Sequence, residues 1–191
     1  VPDLAEAVDR MLAELGRPPA GVEKVRDWVG NGARVLVRRA LAGGLDHAAV
    51  GEAETEEALA RFLDIYADCH NLTVLYPGVH ELLEALSTAA VELAVVTNKP
   101  APFVEPLMQA ANLLPLFDML LGGDILPVRK PDPAPLLHIC EALQIAPART
   151  LMIGDSKNDV LAAQAAAIPV VGLTYGYNHG ESIASSAPDW V

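Results

Sequence analysis

Four short apolar runs fix what the later part of this chain can fold into: residues 93–96, 117–121, 151–153 and 169–173. None alternates apolar with polar residues, so each reads as a strand buried on both faces. Helix-period segments lie between them, through Val104, Leu107 and Met108, then over 133–143 and 157–166. A further helix, through Leu82, Leu83 and Leu86, follows the turn Tyr76-Pro-Gly78. Strands alternating with helices in this way imply an α/β fold, a doubly wound parallel sheet with helices on both faces. The carboxyl ends of all the strands then share one edge, where open sheets of this kind bind ligands.

The residues before the first strand carry a different period. Leu4, Val8, Met11, Leu12 and Leu15 fall on one helical face, and Gly16 follows as a cap. Shorter amphipathic helices are expected over 22–29 and 33–41, ended by Gly30-Asn-Gly32 and Gly43-Gly44. The acidic run 52–57 opens a longer helix and reads as a solvated first turn favoured by the helix dipole. Residues 1–72 are therefore expected to form an all-helical domain and residues 73–191 the α/β core. The sequence opens on Val-Pro-Asp-Leu and closes on Asp189-Trp-Val191 without an obvious terminal element, so it reads as a fragment of a longer chain.

Composition narrows the partners. Just over half of the 191 residues are hydrophobic, yet no apolar stretch reaches the roughly 18 residues of a membrane span, and no export signal is visible. The net charge of −12 argues against nucleic acid and anionic membrane surfaces as partners. Beyond residue 90 the cations are few, and Lys99, Arg129, Lys130 and Lys157 all adjoin the strand ends. Local positive charge in an acidic chain suits a small anionic substrate. Cys69 and Cys140 lie in separate helical segments and read as buried reduced thiols, consistent with a cytoplasmic protein. Nothing in the sequence sets an oligomeric state.

The strand-end edge gathers specific chemistry. Thr97 and Asn98 supply hydroxyl and amide donors, Lys130 an ammonium, and Asp155 and Asp159 two carboxylates one helical turn apart. An aspartate at a strand end with another a turn later suits a hard cation such as Mg2+, which takes oxygen ligands. The plainer alternative is that Asp155 only caps the helix beginning near Lys157. Donors and a cation for equatorial oxygens, with a metal to neutralise charge, are the parts that phosphoryl chemistry needs. A nucleophile is not among them.

In this order, Thr97-Asn98-Lys99, Lys130-Pro-Asp132 and Gly154-Asp155-Ser-Lys-Asn-Asp159 resemble motifs two, three and four of the haloacid dehalogenase-like phosphatases. Thr174-Tyr-Gly-Tyr-Asn-His-Gly180 and Trp28-Val-Gly-Asn-Gly-Ala resemble the branch acting on 2-phosphoglycolate. The resemblance implies a helical cap followed by the core, and a Mg2+-dependent phosphatase of a small phosphorylated acid. It implies that Thr97 and the Asn98 amide hold phosphoryl oxygens and that Lys130 stabilises their charge. Asp155 would ligate Mg2+, with Asp159 at the metal or supporting Lys130. The family's first motif, Asp-x-Asp-Gly-Thr, supplies its nucleophile and sits on a central strand, and it does not occur in these residues. The 191 residues alone are therefore expected to be inactive, with an apolar slot beside the remaining strands.

Arg34, after Gly30-Asn-Gly32, could read a substrate carboxylate through its bidentate fork, against the alternative of a solvated arginine at a helix turn. His179 could approach the site from the last loop or bond locally, whereas His47, His70, His80 and His138 lack ligand spacing. Two other functions fit the same residues: a sugar-phosphate phosphatase or phosphomutase, and a non-catalytic phosphate-binding fragment.

Overall fold

Apolar spacing at the amino end produces four helices: α1 (Pro2–Glu14), α2 (Val22–Trp28), α3 (Ala33–Ala42) and α4 (Glu52–Tyr66). They belong to the first of two units into which the chain divides, Val1–Thr73 and Val74–Val191. The computed structural model describes residues 1–69 and 72–191.

In the first unit, α1 and α4 pack together around Val8, Met11, Leu12, Ala58 and Phe62. Val25, Trp28, Leu36 and Val37 of α2 and α3 complete the core. Phe62, Met11 and Val8 are essentially inaccessible, and full burial of such a side chain contributes roughly 1.5–3 kcal/mol. Gly16 ends α1 at φ 68°, with its N–H bonded to Ala13 O and that of Arg17 to Leu12 O. Only a left-handed residue closes a helix in that way. Two details depart from the expected pattern. Asp3, in the first turn of α1, is buried, and its carboxylate accepts hydrogen bonds from the Leu72 N–H and the Thr73 hydroxyl. The acidic run is braced rather than merely solvated: Glu52 and Glu56 pair with Arg34, Glu54 with Arg17, and Glu57 with Arg61.

The second unit contains α5 (Val79–Thr88), β1 (Ala94–Val96), α6 (Val104–Ala110) and β2 (Met119–Leu121). It continues with α7 (Ala134–Ala142), β3 (Met152–Gly154), α8 (Lys157–Ala165) and β4 (Val170–Gly172). All strand pairing is parallel. β1 pairs with β2 (Ala94 opposite Met119), and β3 with β4 (Met152 opposite Val170). The described residues thus form two two-stranded pairs, and Ile153 at mid-β3 is 43% exposed. One buried cluster, centred on Leu136 and Cys140 of α7, Val160 and Ala163 of α8, and Val170 of β4, underlies both pairs. Val96 from β1 and Met152 from β3 pack against that cluster, which brings the two pairs onto common ground. The carboxyl end is not without structure: the Asp189 and Trp190 amides donate to Val170 O, and Gly172 donates to Trp190 O. Both cysteines are buried free thiols.

Candidate active site

The loop after β1 is held against the loop after β2. Thr97 N–H donates to Leu121 O at 3.0 Å, and Gly123 N–H to Lys99 O at 2.8 Å. Such close docking requires glycine on the β2 side. A methyl group on Gly122 would overlap the Ala101 backbone, and one on Gly123 the Asn98 carbonyl. Thr97 Oγ1 accepts from the Lys99 N–H at 3.1 Å, and Asp124 accepts from the Ala101 N–H at 2.7 Å. Thr97, Asn98, Gly122, Gly123 and Arg129 line a shallow crevice at these strand ends.

Lys130 joins this corner to the next strand. It follows β2 in the loop before α7, with a cis Lys130–Pro131 peptide bond. The Asn98 side-chain amide donates to Lys130 O at 2.8 Å, which fixes the lysine backbone. Its ammonium donates to Val96 O, the last carbonyl of β1. The same nitrogen lies 2.7 Å from Asp159 Oδ1, and both side chains are nearly inaccessible. A buried charge requires such pairing and bonding.

The carboxylates occupy distinct positions. Ser156, not Asp155, is the N-cap of α8. Asp159 Oδ2 accepts from the Asp155 N–H, the Ser156 N–H and the Ser156 hydroxyl at 3.2, 3.1 and 2.9 Å. Asp159 thus serves Lys130 through one oxygen and the helix start through the other. A Cβ on Gly154 would overlap the Asp159 side chain, so the glycine is needed for this approach. Asp155 is half-buried, and its Oδ2 accepts from the Tyr177 N–H at 3.1 Å. Burial, then the charge of Asp159, hold its carboxyl above the ordinary range, opposed by the Tyr177 bond and more weakly by Lys130. One ammonium faces two carboxylates, an excess of negative charge that a divalent cation would reverse. Oxygen donors on a half-buried carboxylate fit a hard cation, although no cluster of three acidic, histidine or cysteine groups occurs among the described residues.

The structure therefore brings Thr97, Asn98, Lys130, Asp155 and Asp159 together at the ends of β1 and β3. Arg34 differs. It belongs to the first unit, where both arms of its fork are taken by Glu52 and Glu56, and this pairing holds its guanidinium above the usual range. His80 pairs with Glu84 on its own helix, and His179 sits at φ 53° in the last loop. His70 lies outside the described residues. Sequence reasoning missed Ser156, whose spacing to Asp159 is a capping-box signal. It also missed Asn178, whose side chain accepts from the Lys157 N–H at 2.7 Å and donates to Glu181 O.

Comparison with known proteins bears on this geometry. Residues 1–167 match the model of the haloacid dehalogenase-like hydrolases. The chain is 57% identical over its whole length to phosphoglycolate phosphatase of Pseudomonas putida KT2440 and to phosphoglycolate phosphatase 1 of Pseudomonas aeruginosa PAO1, covering 70% of each. The crystal structure of a predicted phosphoglycolate phosphatase from Haemophilus somnus 129pt superposes with a TM-score of 0.92 at 42% identity, covering 99% of this chain and 85% of that one. CbbY of Rhodobacter sphaeroides, solved in complex with phosphate, superposes at 0.76 with 26% identity, covering 97% and 84%. With its strand-end threonine, buried lysine and aspartate pair set on a parallel α/β core, this chain belongs to the haloacid dehalogenase-like hydrolases.

Proposed function

We propose that this hydrolase is a Mg2+-dependent phosphatase of a small phosphorylated acid, with 2-phosphoglycolate as the preferred substrate. The observation that carries the reading is Lys130, buried between the end of β1 and Asp159, with Asp155 beside it. The names of the relatives support the substrate, and the phosphate complex of CbbY supports a phosphorylated ligand for the fold.

The residues divide the work. The Thr97 hydroxyl binds a phosphoryl oxygen; the Asn98 side chain is committed to Lys130 O, so its phosphoryl contact is assigned to the backbone N–H. Lys130 offsets negative charge as it builds on the phosphoryl group, from a position that its bonds to Val96 O and Asp159 fix in advance. Asp155 would hold Mg2+, which when bound neutralises charge on the phosphate. Asp159, with both oxygens engaged, is assigned to orienting Lys130 rather than to the metal. Arg34 is left out of the substrate contacts, because Glu52 and Glu56 hold it. The buried free thiols suit a reducing cytoplasmic setting.

A sugar-phosphate phosphatase is the second reading, favoured by the structure of a CbbY mutant in complex with xylulose-(1,5)bisphosphate, 25% identical. Phosphate release by the full-length gene product from 2-phosphoglycolate, xylulose 1,5-bisphosphate and a plain alkyl phosphate decides between them. A higher kcat/KM for 2-phosphoglycolate supports the first reading. Preference for the bisphosphate would replace it, and phosphate binding without release from any ester would leave a binding module.

A further inference from the structure

The loop after β4 makes contacts that the proposed reaction does not itself use. Gly176 has φ +134°, a conformation that side-chain-bearing residues rarely adopt. A Cβ built on it would fall inside the Asp155 carboxylate, meeting its Oδ2, Cβ and Cγ. The next residue, Tyr177, donates its N–H to that same Oδ2 at 3.1 Å. The residue after that, Asn178, is buried and accepts from the Lys157 N–H in the first turn of α8. On the other side, the Tyr175 ring lies 4.5 Å from the Tyr76 ring at 43°. The loop is therefore fastened at both ends, and its middle is pressed against one carboxylate.

We propose that residues 175–178 are a positioning element for Asp155, in which Gly176 supplies the space and the Tyr177 amide the bond that hold Oδ2, so that Oδ1 is presented to the divalent cation. The proposal rests on the reading of Asp155 as the cation ligand. Oδ2 is the oxygen that the Tyr177 N–H engages, which leaves Oδ1 as the one turned to the cation in this proposal. A carboxylate locked through one oxygen loses little rotamer freedom when the other binds a cation. Asp159 and Ser156 do not do this for Asp155: Asp159 accepts from its backbone N–H alone, and the Ser156 N–H and hydroxyl donate to Asp159.

The neighbouring Gly180 provides a control. It too has positive φ, +77°, but a Cβ there meets nothing within 4 Å. Gly176→Ala and Gly180→Ala in the full-length gene product therefore each add a methyl group at a positive-φ residue of this loop, and only the first collides with Asp155; the melting temperature in EDTA separates the larger backbone strain at Gly176 from the effect on Mg2+ binding. Mg2+ affinity is measured by titration calorimetry, and melting temperature in EDTA and in saturating Mg2+ reports folding separately. Gly176→Ala is expected to weaken Mg2+ binding by about 10- to 100-fold and to lose most of the Mg2+-induced rise in melting temperature. Gly180→Ala should stay within about threefold of wild type, since its methyl group touches no group at the site. Wild-type affinity in Gly176→Ala, or equal weakening in both variants, overturns the proposal. A wild-type protein that binds no Mg2+ overturns the reading of Asp155 and the proposal together. Should Gly176→Ala fail to fold, Asn178→Ala, which releases the loop from α8, is read in the same way: weakened Mg2+ binding supports the positioning role, and unchanged binding overturns it.

Discussion

Lys130 Nζ lies 2.7 Å from Asp159 Oδ1, and only 8% of either side chain is exposed. The pair ties the loop after β2 to the first turn of α8, and through Val96 O to the end of β1. Three separate stretches of sequence meet at one ammonium group.

Removing one member of that pair leaves the other buried without its counter-charge. Asp159→Asn is expected to cost about 3–5 kcal/mol of stability, by the usual magnitude for a broken buried pair. The double variant Lys130→Met with Asp159→Asn, which keeps an oxygen for the Asp155 and Ser156 bonds, should regain most of that loss and have no catalytic activity. Urea unfolding of these proteins and of Lys130→Met alone measures the coupling. Equal stability of Asp159→Asn and wild type would show that the pair is not desolvated.

The raised Asp155 carboxyl has a definite sign in stability. Its native pKa lies above the unfolded value, so in the window between them the folded state binds more protons. Stability then falls as pH rises through that window, because the ionised form is the one that burial disfavours. In EDTA, Asp155→Asn should therefore melt above wild type near pH 7, and the gain should vanish at pH values below both pKa values. Mg2+ should reverse the order by stabilising wild type alone. Melting curves across pH, with EDTA or Mg2+, provide the check; a lower melting temperature of Asp155→Asn in EDTA at neutral pH would contradict it.

Gly154 owes its identity to the Asp159 side chain that lies against it. Gly154→Ala should push the carboxylate off Lys130, at about 1–3 kcal/mol in stability, the range for overpacking a tight site. Activity should fall further than stability explains, seen as a lower kcat at unchanged KM. A lower kcat fully accounted for by unfolded protein would contradict that assignment.

Arg34 is held by Glu52 and Glu56 in its own unit. Arg34→Ala is therefore expected to leave the discrimination between 2-phosphoglycolate and an alkyl phosphate unchanged. A selective loss for the carboxylate-bearing ester would return Arg34 to the substrate contacts.

How much of this was legible in the sequence follows from the physics of each element. The four apolar runs announced their strands because each is short and bounded by turn residues, although the expected burial on both faces is not met: Ile153 at mid-β3 is 43% exposed. Their ends moved by a residue or two: β3 begins at Met152 rather than Leu151, where the chain is still exposed. Thr97, Lys130 and Asp155 were visible as polar residues at successive strand ends. Which residue caps α8 was not settled, because Asp155 and Ser156 are both capping types; the spacing of Ser156 to Asp159 was the signal that favoured the serine. The Asp3 bonds to Leu72 and Thr73 span nearly seventy residues, and no local pattern signals such a contact. Gly176 looked like any loop glycine, since the carboxylate that leaves no room for a Cβ there belongs to Asp155, more than twenty residues earlier.

The most direct test of the account is the rate of phosphate release from 2-phosphoglycolate by the full-length gene product and its Asp155→Asn variant, each with Mg2+ and with EDTA. The account predicts turnover for the wild-type protein with Mg2+ alone, and at least about a hundredfold less in the other three conditions, the scale of losing one charge-stabilising group. Undiminished release by Asp155→Asn, or by the wild-type protein in EDTA, would contradict it.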